Sequence, residues 1–495
     1  MNLARYCLTN ASPDPDKVAL EVIGTAGERL EIWTYADLTR SILSVANGLR
    51  LEGFERGDRV LLRIGHSSDF PLLFFGSIAA GLVPVPTSAL LTSTETDTIL
   101  SDSGAAVVLH DGKTALPQAG TARVIGPERI AQLKQSDPGE FENTAADDPA
   151  FLIYTSGTSG TPKGVLHAQR AAAARAPMYL GWYGIHADDR LLHAGAFNWT
   201  YTLGVGLMDP WANGATSVVY DGPRDPQVWP EILTASNATL FAAVPSLYRR
   251  ILKYGEVSEE SFPNLRHGLT AGEALPAELY HAWNARTGRE LYEALGMSEI
   301  STYLSSSPIV PVKPGSPGRP QAGREVAILD ETAEGEEFAR PDTAGLLAVH
   351  RDEPGLMLGY WNRPEETQAA FRGDWFLTGD RARADADGYY WYEGRADDLM
   401  NAFGYRVAPE EVERTLVAHP EVSEVAVTTV SSGSGVDLIT AFVVPADPES
   451  FDETDLAAFA VDRLADYKRP KVYRIISELP RTPSGKVQRK ALSKN

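Results

Sequence analysis

Apolar and polar positions divide the chain into two regions with different patterns. Before residue 396, apolar runs such as Arg59–Ile64 and Ala105–Leu109 alternate with segments whose apolar residues recur at helical spacing, such as Pro71–Ala80. This alternation is typical of parallel strands joined by helices, and it predicts an α/β fold of several layers with mostly parallel sheets. The alanine-rich segment Ala168–Ala176 is also predicted to be helical, because alanine is the strongest helix former.

The pattern changes towards the C-terminus. Apolar residues alternate in Val422–Val430, a turn rich in serine and glycine follows, and a second apolar run covers Leu438–Val444. Two such runs around a short turn predict a β-hairpin, and a helical segment and a last strand come after it. This region is predicted to be a separate small α+β domain. The predicted domains are residues 1–396 and 397–495.

Composition narrows the functions that the chain can have. Its 495 residues carry a formal net charge of −21, which argues against binding to nucleic acid and to an anionic membrane surface. Cys7 is the only cysteine, so a disulfide within the chain and a cysteine metal site are excluded. The chain starts without a signal-peptide core, and its longest apolar stretch, 72–85, is too short to span a bilayer. We expect a cytoplasmic protein without stable membrane association.

The segment Tyr154–Gly164 carries the most specific chemical signal. It places three glycines, five serine or threonine side chains and Lys163 directly after the apolar run Phe151–Ile153. Backbone N–H groups and one cation in such a loop can bind a phosphate group. It is not a Walker A loop, which requires Gly-Lys-Ser/Thr, and a flexible linker would not require Pro-Lys-Gly after a strand. The loop residues predicted to bind phosphate are Thr155, Ser156, Gly157, Thr158, Ser159, Gly160 and Thr161.

This loop resembles the phosphate loop of the adenylate-forming (AMP-binding) superfamily, which includes acyl-CoA synthetases, aryl-CoA ligases, luciferases and adenylation domains of peptide synthetases. Further strings follow in the order of that family, so that the resemblance covers nearly the whole chain. The strings are Thr270–Pro276, Leu291–Glu299, Asp374–Asp380, Tyr390–Asp398, Asn401–Glu413 and Leu479–Arg489. The resemblance is to the acyl-CoA synthetase and aryl-CoA ligase branch, and it implies a large N-terminal domain and a small, mobile C-terminal one.

The resemblance implies a nucleotide site. Ser298 would meet the α-phosphate, and Glu299 together with Thr158 would hold Mg²⁺, a cation that prefers oxygen ligands. Leu295 stands where many members have an aromatic residue against adenine, so apolar contact would replace stacking there. The remaining implied nucleotide contacts are Ala271, Gly272 and Glu273 at adenine, Asp380 at the ribose, and Tyr392 and Arg395.

The resemblance also implies the groups that drive the reaction. Lys486 would neutralise negative charge as a carboxylate attacks the α-phosphate, and charge stabilisation of this kind is commonly the largest catalytic term. Lys163 would be a second catalytic lysine, and Asp397 would be the hinge of the C-terminal domain. In the small domain, Gly404 and Tyr405 would line the path of CoA, although Ala402-Phe403 departs from the strings that are common there.

The acid pocket is the part that the sequence defines least. The family places acyl-binding residues at His193–Gly204, where Phe197, Trp199 and Tyr201 offer three rings and no cation, and Gly296 is a further candidate. Aromatic residues at alternate positions are also common in an ordinary core, and that alternative stays open. A pocket of rings favours an uncharged acid body, because burying an unpaired charge is costly.

We predict an ATP-dependent carboxylic acid–CoA ligase that forms AMP through an acyl-adenylate and then a thioester, on an aryl or short-to-medium-chain acid. Its expected partners are that acid, ATP and CoA, with no nucleic acid, in a monomer or homodimer. Two alternatives stay open: a stand-alone adenylating enzyme that loads a carrier-protein thiol, and a nucleotide-binding sensor without catalysis. Against the sensor stands the presence of Lys163, Glu299, Asp380, Arg395 and Lys486.

Overall fold

A computed structural model describes the chain in eleven ranges: 1–118, 120–155, 162–223, 225–396, 400–402, 405–407, 409–431, 437–461, 463–464, 468–481 and 487–493. The chain forms two compact units. The first comprises Met1–Val326 and Val349–Phe376, and the second comprises Ala327–Ala348 and Leu377–Asn495.

The strands of the described residues are β1 (Val18–Ile23), β2 (Arg29–Thr34), β3 (Arg59–Arg63), β4 (Val83–Pro86), β5 (Val107–His110), β6 (Arg123–Ile125), β7 (Pro149–Thr155), β8 (Lys163–Ala168), β9 (Arg190–His193), β10 (Thr216–Tyr220), β11 (Leu240–Ala243), β12 (His267–Ala271), β13 (Glu290–Met297), β14 (Ser301–Ser305), β15 (Arg319–Pro320), β16 (Val326–Leu329), β17 (Gly345–His350), β18 (Gly359–Tyr360), β19 (Phe371–Arg372), β20 (Trp375–Ala384), β21 (Tyr390–Arg395), β22 (Met400–Ala402), β23 (Tyr405–Val407), β24 (Val422–Ser431), β25 (Asp437–Pro445) and β26 (Val472–Ile475).

The helices are α1 (Leu3–Thr9), α2 (Tyr35–Leu51), α3 (Asp69–Ala79), α4 (Ser93–Ser103), α5 (Pro127–Lys134), α6 (Ala176–Met178), α7 (Thr200–Leu203), α8 (Asp209–Ala212), α9 (Trp229–Ala235), α10 (Pro245–Tyr254), α11 (Ala277–Thr287), α12 (Pro364–Ala369), α13 (Pro409–Val417), α14 (Glu453–Val461) and α15 (Arg489–Leu492). Short 3₁₀ or π turns lie at Gln169–Ala171, Ala173–Arg175, Tyr179–Tyr183, Gly204–Met208, Pro226–Val228 and Glu259–Ser261. In the part of the chain that the structure covers, no helix has the length and apolar character needed to cross a membrane.

The first unit is built on largely parallel sheets. Its largest sheet has nine strands in the order β15-β14-β13-β12-β11-β9-β10-β1-β2, and the strands from β13 to β1 in that order are all parallel. A second sheet, β4-β3-β5-β6, is parallel throughout. The predicted α/β fold with parallel sheets is therefore confirmed.

The buried faces of these sheets carry helices whose apolar residues form the core. Helix α3 is the clearest case, because ten of its eleven residues are buried, and its rings of Phe74 and Phe75 pack edge to face at a centroid distance of 5.2 Å. Such a segment lies between layers rather than at the surface. The helical spacing that predicted this helix is thus confirmed.

A three-stranded antiparallel sheet, β18-β8-β7, carries the start of the predicted phosphate loop. Thr155 at the end of β7 pairs with Lys163 at the start of β8, and Tyr360 of β18 pairs with Val165 of β8. An antiparallel pair brings the two ends of a connecting loop together. The loop residues 156–161 between these ends lie outside the described residues.

The second unit contains the predicted hairpin. Strands β24 and β25 pair antiparallel, β26 joins β25 in parallel, and α13 begins at Pro409 as its helix-start signal predicted. Strand β20 begins in the first unit, where it pairs with β19. It continues into the second unit, where it pairs with β21. The predicted small α+β region is confirmed, whereas the boundary between residues 396 and 397 stays a prediction.

The predicted helix at Ala168–Ala176 is wrong. Ala168 ends β8, and the segment continues as two single 3₁₀ turns, Gln169–Ala171 and Ala173–Arg175. Tertiary contacts override the alanine propensity here: the Gln169 amide accepts from the Leu3 N–H at 2.8 Å and donates to the Pro149 carbonyl at 3.0 Å.

Candidate active site

Lys163 follows the predicted phosphate loop, and its side chain contacts two neighbouring elements. It opens β8, and the Thr155 hydroxyl donates to its carbonyl oxygen at 3.5 Å. Its ammonium group forms an ion pair with the Glu366 carboxylate of α12 and lies 5.4 Å from the ring centroid of Tyr360. The side chain is 24% exposed, so a partly buried cation lies at the C-terminal end of the predicted loop.

Tyr360 links Glu299 to this cation, because it contacts both residues. The Tyr360 hydroxyl donates to Oε1 of Glu299 at 2.8 Å, and the Met357 N–H donates to the Glu299 carbonyl at 2.8 Å. Glu299 belongs to the short connection between β13 and β14. The sequence predicted both Lys163 and Glu299 as site residues, and the structure brings both into contact with one tyrosine.

The buried side chain of His167 forms a hydrogen bond with the backbone of Ser298, the predicted α-phosphate contact. The Nε2–H of His167 donates to the Ser298 carbonyl at 2.8 Å, and the imidazole stacks on Phe151 at a centroid distance of 4.5 Å. Burial lowers the pKa of His167 to about 4. The ring is therefore neutral at pH 7, and the proton on Nε2 serves the hydrogen bond to Ser298.

A second buried group holds the far end of this connection. Ser301 has a φ of 97°, a strained value for a residue other than glycine, and its hydroxyl accepts from Nη1 of Arg175. Arg175 pairs with both carboxylate oxygens of Asp209, at 2.8 Å from Nε to Oδ1 and 2.7 Å from Nη2 to Oδ2. Burial lowers the pKa of Arg175, but the charge of Asp209, its hydrogen bonds to Arg175 and the nearby hydroxyl groups of Tyr183 and Tyr179 together raise that pKa above its ordinary value.

A cavity of about 20 Å³ lies next to this connection. That volume suits about one water molecule. Polar groups of Arg175, Thr200, Ser298 and Ser301 contribute to its wall, together with apolar residues such as Ile300. Ser298, the predicted α-phosphate contact, is thus one of the residues that line this small and mostly apolar cavity.

The adenine segment follows β12. Ala271 is buried at the strand end, and Gly272 has a φ of 90°, a conformation that favours glycine. The Glu273 carboxylate accepts from the N–H and the hydroxyl of Ser246, at 3.2 and 3.1 Å, which satisfies donors at the start of α10. A further carboxyl, Glu293, accepts from the Leu275 N–H at 2.9 Å, and burial raises its pKa to about 8.

The four predicted acid-pocket residues have distinct surroundings. Phe197 is buried and stacks on His66, with ring centroids 4.2 Å apart, whereas Trp199 is half-buried. The Tyr201 hydroxyl donates to the Ala243 carbonyl at 3.4 Å, and burial raises its pKa. A side chain at Gly296 would collide with the backbone of the neighbouring strand β14. The roles of these four residues in an acid pocket stay predictions.

Three predicted nucleotide residues meet within the second unit. Asp380 and Arg395 are paired across β20 and β21, and Nη1 of Arg395 lies 3.2 Å from Oδ1 of Asp380. Tyr392 lies on the same strand as Arg395, and burial raises the pKa of its hydroxyl. Of the other predicted residues in this unit, Asp397, Gly404 and Lys486 lie outside the described residues, and only the backbone of Tyr405 is described.

Sequence comparison assigns the family. The profile described as AMP-binding enzyme matches residues 8–361. The chain belongs to the AMP-binding enzyme family. A second profile, AMP-binding enzyme C-terminal domain, matches residues 411–486, and the predicted superfamily is therefore confirmed.

Relatives of this AMP-binding enzyme include aryl-CoA ligases. It is 31% identical over 476 residues to a 3-hydroxybenzoate–CoA ligase of Aromatoleum sp. (strain CIB), covering 92% of this chain and 90% of the relative. The benzoate CoA ligase of Burkholderia xenovorans LB400 has 30% identity and a TM-score of 0.88, with 100% of both chains covered. ATP-bound MatB of Rhodopseudomonas palustris has 27% identity and a TM-score of 0.90, with coverage of 100% and 99%. The predicted branch and the two-domain fold are confirmed.

Sequence reasoning missed four residues around the candidate site of this AMP-binding enzyme. Tyr360, His167, Arg175 and Asp209 all contact site residues or each other. Arg175 had one usable signal, because it is a charged residue within an alanine-rich stretch and a charge there needs a partner if buried. Tyr360 had none, since 61 positions separate it from Glu299.

Proposed function

We propose that this enzyme uses ATP to join an apolar aryl acid to the thiol of CoA, releasing AMP and pyrophosphate. The observation that carries the proposal is the contact of Tyr360 with both Lys163, which follows the predicted phosphate loop in the sequence, and Glu299. One side chain thus contacts a cation and a carboxylate that are both predicted site residues. The predicted enzyme class, an AMP-forming acid–thiol ligase, is confirmed by relatives named as CoA ligases.

The reaction has two steps. In the first, a carboxylate oxygen of the acid bonds to the α-phosphorus of ATP, and pyrophosphate leaves. In the second, the thiol of CoA loses its proton and attacks the carbonyl carbon, and AMP leaves with the former carboxylate oxygen. Lys163 is proposed to bind phosphate oxygens, and Lys486 is proposed to offset the negative charge that builds up in the first step.

The donor set at Glu299 fits Mg²⁺. This hard cation takes oxygen ligands and is commonly held by one or two carboxylates together with substrate phosphates. One oxygen of Glu299 accepts from Tyr360, which leaves the other for a cation. When bound, Mg²⁺ would offset phosphate charge, and Glu299 with Thr158 would hold it.

The remaining parts of the proposal follow from the sequence. Asp380, Tyr392 and Arg395 would bind the nucleotide, Asp397 would be the hinge, and Gly404 and Tyr405 would line the CoA path. Glycine at 404 allows close passage of a ligand beside the backbone. An aryl acid body fits the ring-rich segment 197–201 and the benzoate and 3-hydroxybenzoate named for the relatives.

We also propose that the enzyme acts in the cytoplasm, as a monomer or homodimer without stable membrane association. The chain has one cysteine, so the fold depends on no disulfide within the chain. ATP and CoA are the co-substrates that this location supplies.

The direct test is an acid screen with the purified full-length protein. ATP, Mg²⁺ and CoA are supplied with benzoate, 3-hydroxybenzoate, hexanoate, malonate or phenylalanine, and AMP and thioester are measured by mass spectrometry. Benzoate-like acids should give equal amounts of AMP and acyl-CoA, above malonate and phenylalanine. A parallel reaction receives a holo-carrier protein in place of CoA. Thioester on the carrier protein but not on CoA would support the carrier-loading alternative, and no AMP with any acid would support the sensor.

A further inference from the structure

Tyr360 occupies a position between two site residues of opposite charge. Its hydroxyl donates to Oε1 of Glu299 at 2.8 Å, and its ring centroid lies 5.4 Å from the ammonium of Lys163. One side chain therefore makes a charge-assisted hydrogen bond and a cation–π contact. Either contact alone is common at a surface, but together they fix a cation and a carboxylate relative to each other.

The backbone around Tyr360 is held firmly. Its own N–H donates to the Thr367 hydroxyl at 2.9 Å, and Tyr360 pairs with Val165 of β8. The next residue, Trp361, donates from its backbone N–H to the Gly164 carbonyl at 2.7 Å and from its indole to the Asp102 carbonyl at 3.0 Å. The strand that carries Tyr360 is thus tied to the strand that carries Lys163.

We propose that Tyr360 is a positioning residue that orients the Glu299 carboxylate for a magnesium–nucleotide complex. The inference rests on the proposed function of Glu299. A phenol hydroxyl has one proton to donate, and it is used on Oε1, so that Oε2 is the oxygen left for a cation. Groups that hydrogen-bond to a metal-binding carboxylate fix its orientation, and removing one typically weakens metal affinity or activity about 10–100-fold.

The test uses Tyr360→Phe, which removes the hydroxyl and keeps the ring beside Lys163. ATP binding is measured by titration calorimetry with Mg²⁺ and with EDTA. We expect the Kd for ATP in Mg²⁺ to rise about tenfold, while the Kd in EDTA stays within about twofold of wild type. An equal rise of both Kd values, or no change in either, would overturn the positioning role.

Trp361→Phe is the matched control. It is the adjacent aromatic residue on the same chain segment, and it also loses one hydrogen-bond donor, but that donor points to the Asp102 carbonyl. Both Kd values of this variant should match those of wild type. If Trp361→Phe shows the same Mg²⁺-dependent loss as Tyr360→Phe, the effect belongs to the strand and the proposal is wrong.

Glu299→Gln separates this inference from the function on which it rests. It should weaken ATP binding in Mg²⁺ at least as much as Tyr360→Phe, and the double variant should bind no worse than Glu299→Gln alone, because both changes act on one carboxylate. Unchanged ATP binding in Glu299→Gln would overturn the metal role and the inference together. Weakened binding in Glu299→Gln beside unchanged binding in Tyr360→Phe would overturn the inference alone.

Discussion

The ammonium of Lys163 forms an ion pair with Glu366, and ATP must replace this partner if Lys163 binds phosphate. Glu366 is itself 42% exposed on its side chain and also faces Arg363, with Nε and Oε1 3.8 Å apart. Glu366 would therefore compete with the nucleotide for Lys163. Because Glu366 is half-exposed, its ion pair contributes little free energy.

We expect Glu366→Gln to lower the KM for ATP by up to about fivefold, since a half-exposed ion pair contributes at most about 1 kcal/mol. The kcat should change little, because this substitution does not alter the groups at Glu299. Initial rates across ATP concentrations measure both constants. Glu365→Gln, at the exposed neighbouring position of α12, is the control and should leave the KM unchanged. A KM that rises in Glu366→Gln would show that the pair organises the site.

The buried imidazole of His167 predicts a pH dependence of stability. Its pKa in the folded state is about 4, against about 6.5 in an unfolded chain. Below pH 6.5 the unfolded chain takes up a proton that the folded chain refuses, so stability is lost as the pH falls from 6.5 towards 4. The contribution of His167 is fully present above that window.

His167→Gln tests this directly. Urea unfolding at pH 7 and pH 4 should show that the stability difference between wild type and variant shrinks on acidification by on the order of 3 kcal/mol. Effects of other titrating groups cancel in this difference. A stability difference that is the same at both pH values would mean that His167 is protonated within the fold.

At the scale of elements, one buried ion pair joins three pieces of the first unit. Arg175 ends a 3₁₀ turn, Asp209 begins α8, and Ser301 begins β14. The Tyr183 hydroxyl also donates to Oδ2 of Asp209, at 2.6 Å. The connection that carries Ser298 and Glu299 therefore depends on elements that come earlier in the chain.

Asp209→Asn should destabilise the protein by about 3–5 kcal/mol, because it leaves the guanidinium of Arg175 buried without a counter-charge. Chemical denaturation measures the change in the free energy of unfolding. The double variant Arg175→Met/Asp209→Leu should lose less than Asp209→Asn, since it buries no charge. A loss below about 1 kcal/mol for Asp209→Asn would be typical of an exposed pair instead.

The same elements show how far the sequence could go. The pattern of apolar residues predicted α3 and the β24–β25 hairpin because each has a run of apolar residues that becomes buried, and the resemblance to the family strings implied Lys163 and Glu299. The helix predicted from alanine content at Ala168–Ala176 was wrong, because buried contacts of Gln169 and Arg175 determine the backbone conformation there. Such contacts come from distant parts of the chain, so no local pattern contains them.

At the scale of the whole molecule, two residues predicted from the family strings should affect different steps. Lys486→Ala should abolish adenylate formation, measured by pyrophosphate exchange, and spare thioester formation from a supplied acyl-adenylate. The reason is that the lysine offsets charge only when the α-phosphate is attacked. Equal loss of both steps would contradict this role.

Asp397→Pro should have the opposite effect on the two steps, sparing adenylate formation and blocking thioester formation. It therefore serves as the control for Lys486→Ala. Proline fixes φ near about −65°, so a backbone position that must turn between the two steps would be frozen. A first turnover should still release pyrophosphate, while acyl-CoA formation fails. Unchanged steady-state turnover would show that Asp397 is not the hinge.

The most direct measurement follows oxygen from the acid. The enzyme is incubated with benzoate labelled with ¹⁸O in its carboxylate, together with ATP, Mg²⁺ and CoA, and the products are weighed by mass spectrometry. An acyl-adenylate requires one ¹⁸O to leave with AMP and the other to remain in benzoyl-CoA. Unlabelled AMP, or ADP with labelled phosphate, would contradict the proposed reaction.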